Sequence, residues 1–184
     1  VQQMVVADSA GVMFTIDTET GFPDAILINA AWGLGELVVK GSVNPDRYMV
    51  YKPLLDKSDA HPVIEKQRGS KARKMIFSRS AAGEQGTEII HSSSAERTSY
   101  VLSDADTLAL SRWGVAIERH YGRPMDIEWA RDSDGLCILQ ARPETVASRT
   151  DSGVLLNYKL TQSGESLLEG ASVGGAIASG KVCR

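Results

Sequence analysis

Four polar residues in the stretch 125–145, MDIEWARDSDGLCILQARPET, have the types and spacing to hold a metal ion and a phosphate. Strand alternation places Met125, Ile127 and Trp129 on one face and Asp126 and Glu128 on the other, while Gln140 and Arg142 share a face of the following strand. If Ser133-Asp134-Gly135 forms a three-residue loop, with Gly135 supplying the positive φ of a bulge, Glu128 lies opposite Gln140 and Asp126 opposite Arg142. A two-residue Asp-Gly turn shifts the register by one and sends the carboxylates and the Gln/Arg pair to opposite faces. In the first register two carboxylates, an amide oxygen and a guanidinium point to one side. Mg²⁺ takes a few hard oxygens and fills its octahedron with water and phosphate oxygens. Arginine adds a permanent forked charge for a terminal phosphate. The same residues also make an ordinary solvent face of a half-buried antiparallel sheet, with Asp126 and Arg142 as a cross-strand ion pair.

The elements that must position this hairpin are mostly strands. From residue 1 to about 90 the chain runs through short β-rich pieces, VQQMVV, GVMFTID, AILINAAW, DRYMVYK, KMIFS and TEII, separated by turn residues. Only a short helix fits after Gly33-Leu34-Gly35, so antiparallel pairing and an α+β fold are expected. A longer helix is signalled by Ser103 and Asp106 as a cap, then by Leu110, Trp113, Gly114, Ile117 and Tyr121 at helical spacing, with Gly122 and Pro124 ending it. Trp113 and Tyr121 read as core. After Ala147 the chain turns polar and then glycine-rich, which predicts a boundary near Ser148.

Composition limits the partners. The 184 residues are 42% hydrophobic and 23% charged, an ordinary globular balance. Twenty Lys+Arg against 23 Asp+Glu gives a net charge of -3, which excludes a general nucleic-acid binder. The longest apolar stretch, about 25–32, is interrupted by Asn29 and far short of the roughly 20 residues of a membrane span. Cys137 and Cys183 have no Cys or His at zinc-ligand spacing, and no signal peptide precedes them, so a reducing cytoplasm is expected. Cys137 reads as an inert buried thiol pointing away from Gln140. Lys66, Arg68, Lys71, Arg73 and Lys74 read as a solvated hairpin tip, with a triphosphate or partner contact as the alternative. The run Gly33 to Glu36 permits close backbone approach and could aim Glu36 at a ribose or a phosphate-bound metal; a plain helix-start carboxylate is the alternative.

The strings GVMFTIDTETGF, WGLGELVVKGSVNPDRY, HYGRPMDIEWA and LQARPET, in order and consistently spaced, resemble the nucleotide-binding domain of the pyruvate phosphate dikinase family. The resemblance runs from residue 1 to about 148 and implies the C-terminal half of an ATP-grasp domain. Residues 149–184 would then be a linker and the beginning of a swivelling phosphohistidine domain, within a longer polypeptide. It further implies an enzyme that uses ATP to phosphorylate its own histidine, releases phosphate to leave AMP, and passes the remaining phosphoryl group to pyruvate. Carried over by position, Glu128 and Gln140 match the Mg²⁺ ligands, Arg142 the terminal-phosphate contact and Asp126 a supporting acid. Gln3, Met4 and Val5 match the strand and hinge beside adenine, where a methionine offers a polarizable surface to a flat base. His61, His91 and His120 lack the preceding Thr-Ser of the phosphorylated histidine, so that acceptor is expected elsewhere in the polypeptide, as is the N-terminal half of the site. The implied partners are ATP, pyruvate and the remaining domains of the same chain; a homodimer is compatible with them. A related dikinase, an antibiotic phosphotransferase and a non-catalytic nucleotide-binding module are the alternatives.

Overall fold

A computed structural model describes residues 2–79 and 85–145. The predicted boundary near Ser148, the 149–184 segment and Cys183 lie outside the described residues. Among those described are eight strands: β1 Ser9–Phe14, β2 Ala25–Trp32, β3 Asp46–Tyr51, β4 Val63–Gln67, β5 Arg73–Arg79, β6 Gln85–His91, β7 Met125–Asp132 and β8 Gly135–Pro143. Three α-helices join them: α1 Glu36–Val39, α2 Ser94–Thr98 and α3 Asp104–Tyr121. Six strands form one antiparallel sheet in the order β4-β3-β2-β1-β7-β8, and β5 and β6 form a separate antiparallel pair. The fold is α+β and mainly antiparallel, as the strand-rich first half predicts.

Alternation divides the large sheet into two faces. Met13, Ile26, Ile28, Tyr48, Val50, Met125, Ile127 and Trp129 are buried and pack with Leu110 of α3 in one core. The other face carries Val12, Phe14, Asn29, Arg47, Asp126 and Glu128, all half-buried. Ser103 caps α3, its hydroxyl accepting the Asp106 N–H at 3.1 Å, and Gly122 ends the helix in the left-handed conformation. Two core expectations fail: Trp113 and Tyr121 are 39% and 54% exposed. The packing face of α3 is Thr107, Leu110, Ser111 and Gly114 instead. These small residues bring the helix close to β1; a Cβ on Gly114 would sit 3.1 Å from the Met13 side chain. Trp113 lies one residue, about 100°, away from that face.

The expected strand over residues 1–6 is also absent: residues 2–7 carry no regular structure. β1 is a central strand whose register with its neighbours begins at Ser9, opposite Trp32 and Arg131. Asp8 still bonds both neighbours, donating to the Arg131 carbonyl at 2.9 Å and accepting from the Gly33 N–H at 2.8 Å, and residues 2–7 before it leave the ladder.

The basic run is not a hairpin tip. Lys71 is fully buried against the carboxylate of Asp46, which is itself buried. The same Asp46 carboxylate accepts the N–H of Gly69 at 2.9 Å and of Val101 at 2.8 Å. Lys66 pairs with Asp104 at 2.8 Å, Arg68 donates to the Thr98 carbonyl at 2.8 Å, and Lys74 pairs with Glu96. Burial works against the charged form of Glu96, but hydrogen bonds from Lys74 and Ser93 outweigh it and hold the carboxyl below its ordinary range.

Candidate functional site

The β7–β8 hairpin sits at one edge of the sheet. Its register places Glu128 opposite Gln140 and Asp126 opposite Arg142, so all four polar heads share the face away from α3. Gln140 and Arg142 are exposed, and Asp126 and Glu128 are half-buried. The three-residue loop expected to produce this register is not what forms. Asp132 pairs with Gly135 across a two-residue turn, Ser133-Asp134, in which the Asp132 carboxylate accepts the Asp134 N–H at 2.9 Å. Gly135 closes that turn at φ 123°, a conformation disfavoured for residues with a Cβ. Such a turn alone leaves Glu128 out of register with Gln140. A β-bulge restores it: Trp129 pairs with Ile138 and Glu128 with Gln140, leaving Leu139 as the extra residue.

The bulge also turns Cys137. Paired with Ala130, it lies on the same face as Glu128 and Gln140 rather than opposite to Gln140, and it is half-buried rather than buried. Its thiol donates to the Ala130 carbonyl at 3.4 Å, and burial, with the Asp132 carboxylate nearby, raises its pKa.

Leu139 ties the chain start to the site. Its carbonyl accepts a hydrogen bond from Gln2 Nε2 at 3.2 Å, so residues 2–5 lie along the bulge. They close a cavity of about 370 Å³ whose walls include Gln3, Met4, Val5, Gly35, Glu128 and Gln140. Met4 is 73% exposed, which rules out a core role for it. Of the eight residues singled out from sequence, Gln3, Met4, Val5, Glu128 and Gln140 thus line one cavity. Asp126 and Arg142 lie one step along the same strands, where Arg142 Nε donates to Asp126 Oδ2 at 2.8 Å and Nη2 pairs with the same oxygen at 2.8 Å. Glu36 stands apart: Gly35 lines the cavity, whereas the Glu36 carboxylate is exposed and pairs with Lys40 at the next turn of α1. Leu139 and Gln2 belong to the same constellation and carried no sequence signal, because a bulge shows only in the pairing.

The chemistry of the face is that of hard oxygens with one shared cation. Glu128 makes no hydrogen bond or ion pair among the described residues, and Asp126 Oδ1 is buried without a partner while Oδ2 is held by Arg142. A buried carboxylate oxygen lacking a donor is costly unless a cation or water completes it. Directly opposed residues have Cβ atoms about 5 Å apart, close enough for the Glu128 carboxylate and the Gln140 amide oxygen to share one ion.

The family model described as the AMP/ATP-binding domain of pyruvate phosphate dikinase matches residues 1–160. The chain is similar to the phosphoenolpyruvate synthase of Pseudomonas aeruginosa (strain UCBPP-PA14), 46% identical over 186 residues that cover 99% of this chain and 23% of that protein. The enzyme of the same name from Synechocystis sp. is 48% identical over 191 residues, covering 98% of this chain and 23% of the relative. That of Escherichia coli (strain K12) is 42% identical over 186 residues, with shares of 99% and 23%. The chain therefore spans about a quarter of the length of these relatives.

Proposed function

The chain belongs to the pyruvate phosphate dikinase AMP/ATP-binding domain family, and we propose from that premise that it is the ATP-binding portion of a phosphoenolpyruvate synthase. Such an enzyme converts pyruvate, ATP and water to phosphoenolpyruvate, AMP and phosphate through a phosphohistidine. The observation that carries the reading is the single cavity joining Gln3, Met4 and Val5 to Glu128 and Gln140. Its walls combine apolar side chains, among them Met4, Val5, Leu34 and Leu139, with the oxygens of Glu128 and Gln140, the combination a nucleotide needs.

In this reading the exposed Met4 side chain covers one face of adenine, and the backbone of Gln3 and Val5 reads its edge. Glu128 and Gln140 hold Mg²⁺, which when bound neutralises charge on the phosphates. Arg142 meets the terminal phosphate with the donors not spent on Asp126, and Asp126 fixes its plane. Glu36 comes to the ribose or metal side after leaving Lys40. Residues 1–148 make one wall of an ATP-grasp site in the cytoplasm. The second wall, the phosphorylated histidine and the pyruvate site come from the rest of the polypeptide, with 149–184 leading into the phosphohistidine domain.

Glu128→Ala in the full-length enzyme tests the assignment. ATP-dependent AMP formation should fall at least 100-fold, on the order of what one lost electrostatic contact to a reacting group costs, with the unfolding midpoint changed little because the side chain has no protein partner. Unchanged AMP formation in a folded variant would remove Glu128 from the site.

A further inference from the structure

At the opposite end of the sheet, a polar cavity of about 460 Å³ opens between the loop following β4 and α2. Arg68, Arg97, Ser70, Ser94 and Asn44 line it, and none of its described lining residues is acidic. A larger cavity, of about 760 Å³, differs: there Arg112, Arg119 and Arg123 are mixed with Asp24, Asp56 and the Lys52–Glu118 pair, so it presents no single sign. Three to four strand spacings of about 4.8 Å separate the β3–β4 edge beside the 460 Å³ cavity from β7, which puts the cavity roughly 15–20 Å from Glu128.

The framework beneath the cavity is fixed. Gly69 packs so closely on the chain before β3 that a Cβ would come within 2.1 Å of the Pro45 carbonyl oxygen. Its N–H is held by buried Asp46, and the Lys71 N–H donates to the Asn44 carbonyl at 3.0 Å. Arg68 Nη1 ties the loop to α2 through the Thr98 carbonyl. At the start of α2, Ser93 and Glu96 form a reciprocal capping box that takes up the N–H groups of these two residues. The lining residues supply side-chain donors: the remaining N–H groups of Arg68, the whole guanidinium of Arg97, the Ser70 and Ser94 hydroxyls and the Asn44 amide. None of these last four groups has a hydrogen bond among the described residues. Two permanently charged forks with two hydroxyls and no carboxylate match a doubly charged oxyanion better than a monocarboxylate.

We propose that this cavity binds a phosphate dianion, free or as the head of a small phosphomonoester, at a site separate from the nucleotide cavity. Binding in so open a place is weak, with Kd on the order of 1 mM. The test titrates the ¹⁵N-labelled 184-residue chain with glycerol 3-phosphate and, separately, with inorganic phosphate at constant ionic strength. Glycerol and sodium chloride serve as controls. Saturable shifts of the Gly69, Ser70 and Arg97 amides are expected with one or both phosphates. Saturation by both assigns recognition to the phosphate alone, and saturation by the ester only assigns it to the ester. Arg97→Gln should weaken binding at least tenfold. Ser70→Asp, which sets a carboxylate at an exposed position and leaves the Arg68–Thr98 tie intact, should abolish it. Glu128→Ala should bind like the parent chain. The proposal is overturned if neither phosphate shifts these amides saturably up to about 20 mM, well above the affinity expected. It is equally overturned if chloride or glycerol reproduces the shifts, or if both variants bind unchanged.

Discussion

Replacing Lys71 by Met isolates the buried charge pair that anchors the β3 end of the sheet. Lys71 and Asp46 are both fully buried, and methionine has nearly the same length and volume as lysine, so the change removes a charge without opening a cavity. Removing one partner of a buried pair costs about 3–5 kcal/mol because the other charge is left without compensation. Asp46 is not stranded completely, since the N–H groups of Gly69 and Val101 still reach it at 2.9 and 2.8 Å. The expected loss is therefore at the low end, about 3 kcal/mol. With a urea m-value of about 2 kcal/mol/M, the midpoint should fall by roughly 1.5 M. Far-ultraviolet circular dichroism and tryptophan fluorescence should report the same transition. Adding Asp46→Asn to Lys71→Met removes the buried charge but recovers only part of the loss, because Gly69 donates to Oδ1 and Val101 to Oδ2, and one of these N–H groups then faces the amide nitrogen. A Lys71→Met midpoint within 0.3 M of the parent, at unchanged m, would mean that water reaches the pair and that the burial argument is wrong.

The depressed pKa of Glu96 fixes the sign of a pH effect. Its stabilising contribution is present above the ordinary glutamate value of 4.5 and is lost as pH falls through the lower folded value, so Glu96→Gln should be destabilised at pH 7 and the gap to the parent should shrink as pH falls below 4.5; a difference in urea midpoint that stays constant on acidification would refute it. Gly114→Val should destabilise by about 2 kcal/mol through overpacking against Met13, whereas Tyr121→Gln should stay within about 0.5 kcal/mol of the parent by chemical denaturation. Deleting Leu139 should leave Gln140 opposite Glu128 but remove the acceptor for Gln2, so the amides of residues 3–5 should lose order in heteronuclear NOE measurements while the sheet amides keep theirs; ordered residues 3–5 in that variant would show that the bulge does not anchor them.

Elements with a strong local pattern, an apolar β-rich run or a helix cap, were readable from sequence. AILINAAW became β2 residue for residue, the Ser103 cap formed, and Gly122 ended α3. Elements decided by distant partners were not readable. β4, VIEKQ, is an exposed edge strand without alternation and owes its structure to β3. Lys71 looks like its basic neighbours, and only Asp46, 25 positions earlier in the chain, makes its burial tolerable. Trp113 and Tyr121 share a plausible helical stripe with Leu110, yet the sheet selects the small residues beside them, which allow closer approach.

The candidate site shows the same division inside one hairpin. The pairing of Glu128 with Gln140 was legible because chemistry requires the polar heads to share a face, and a three-residue loop is the simplest regular hairpin that delivers it. The chain reaches that pairing by two offsets that cancel. The Asp132 carboxylate captures the Asp134 N–H and shortens the turn by one residue, and the bulge at Leu139 adds one back. Only the second offset frees a carbonyl near the middle of the edge strand, and that carbonyl holds Gln2. A regular hairpin with the longer loop would present the same four polar residues but would spend the Leu139 position on the ladder or the open edge. The irregularity thus positions Gln3, Met4 and Val5 beside the oxygen-rich face, and it brings Cys137 onto that face as well. In physical terms, the turn and the bulge together determine which residues could hold a metal, and the bulge also supplies the carbonyl that holds the chain start beside them.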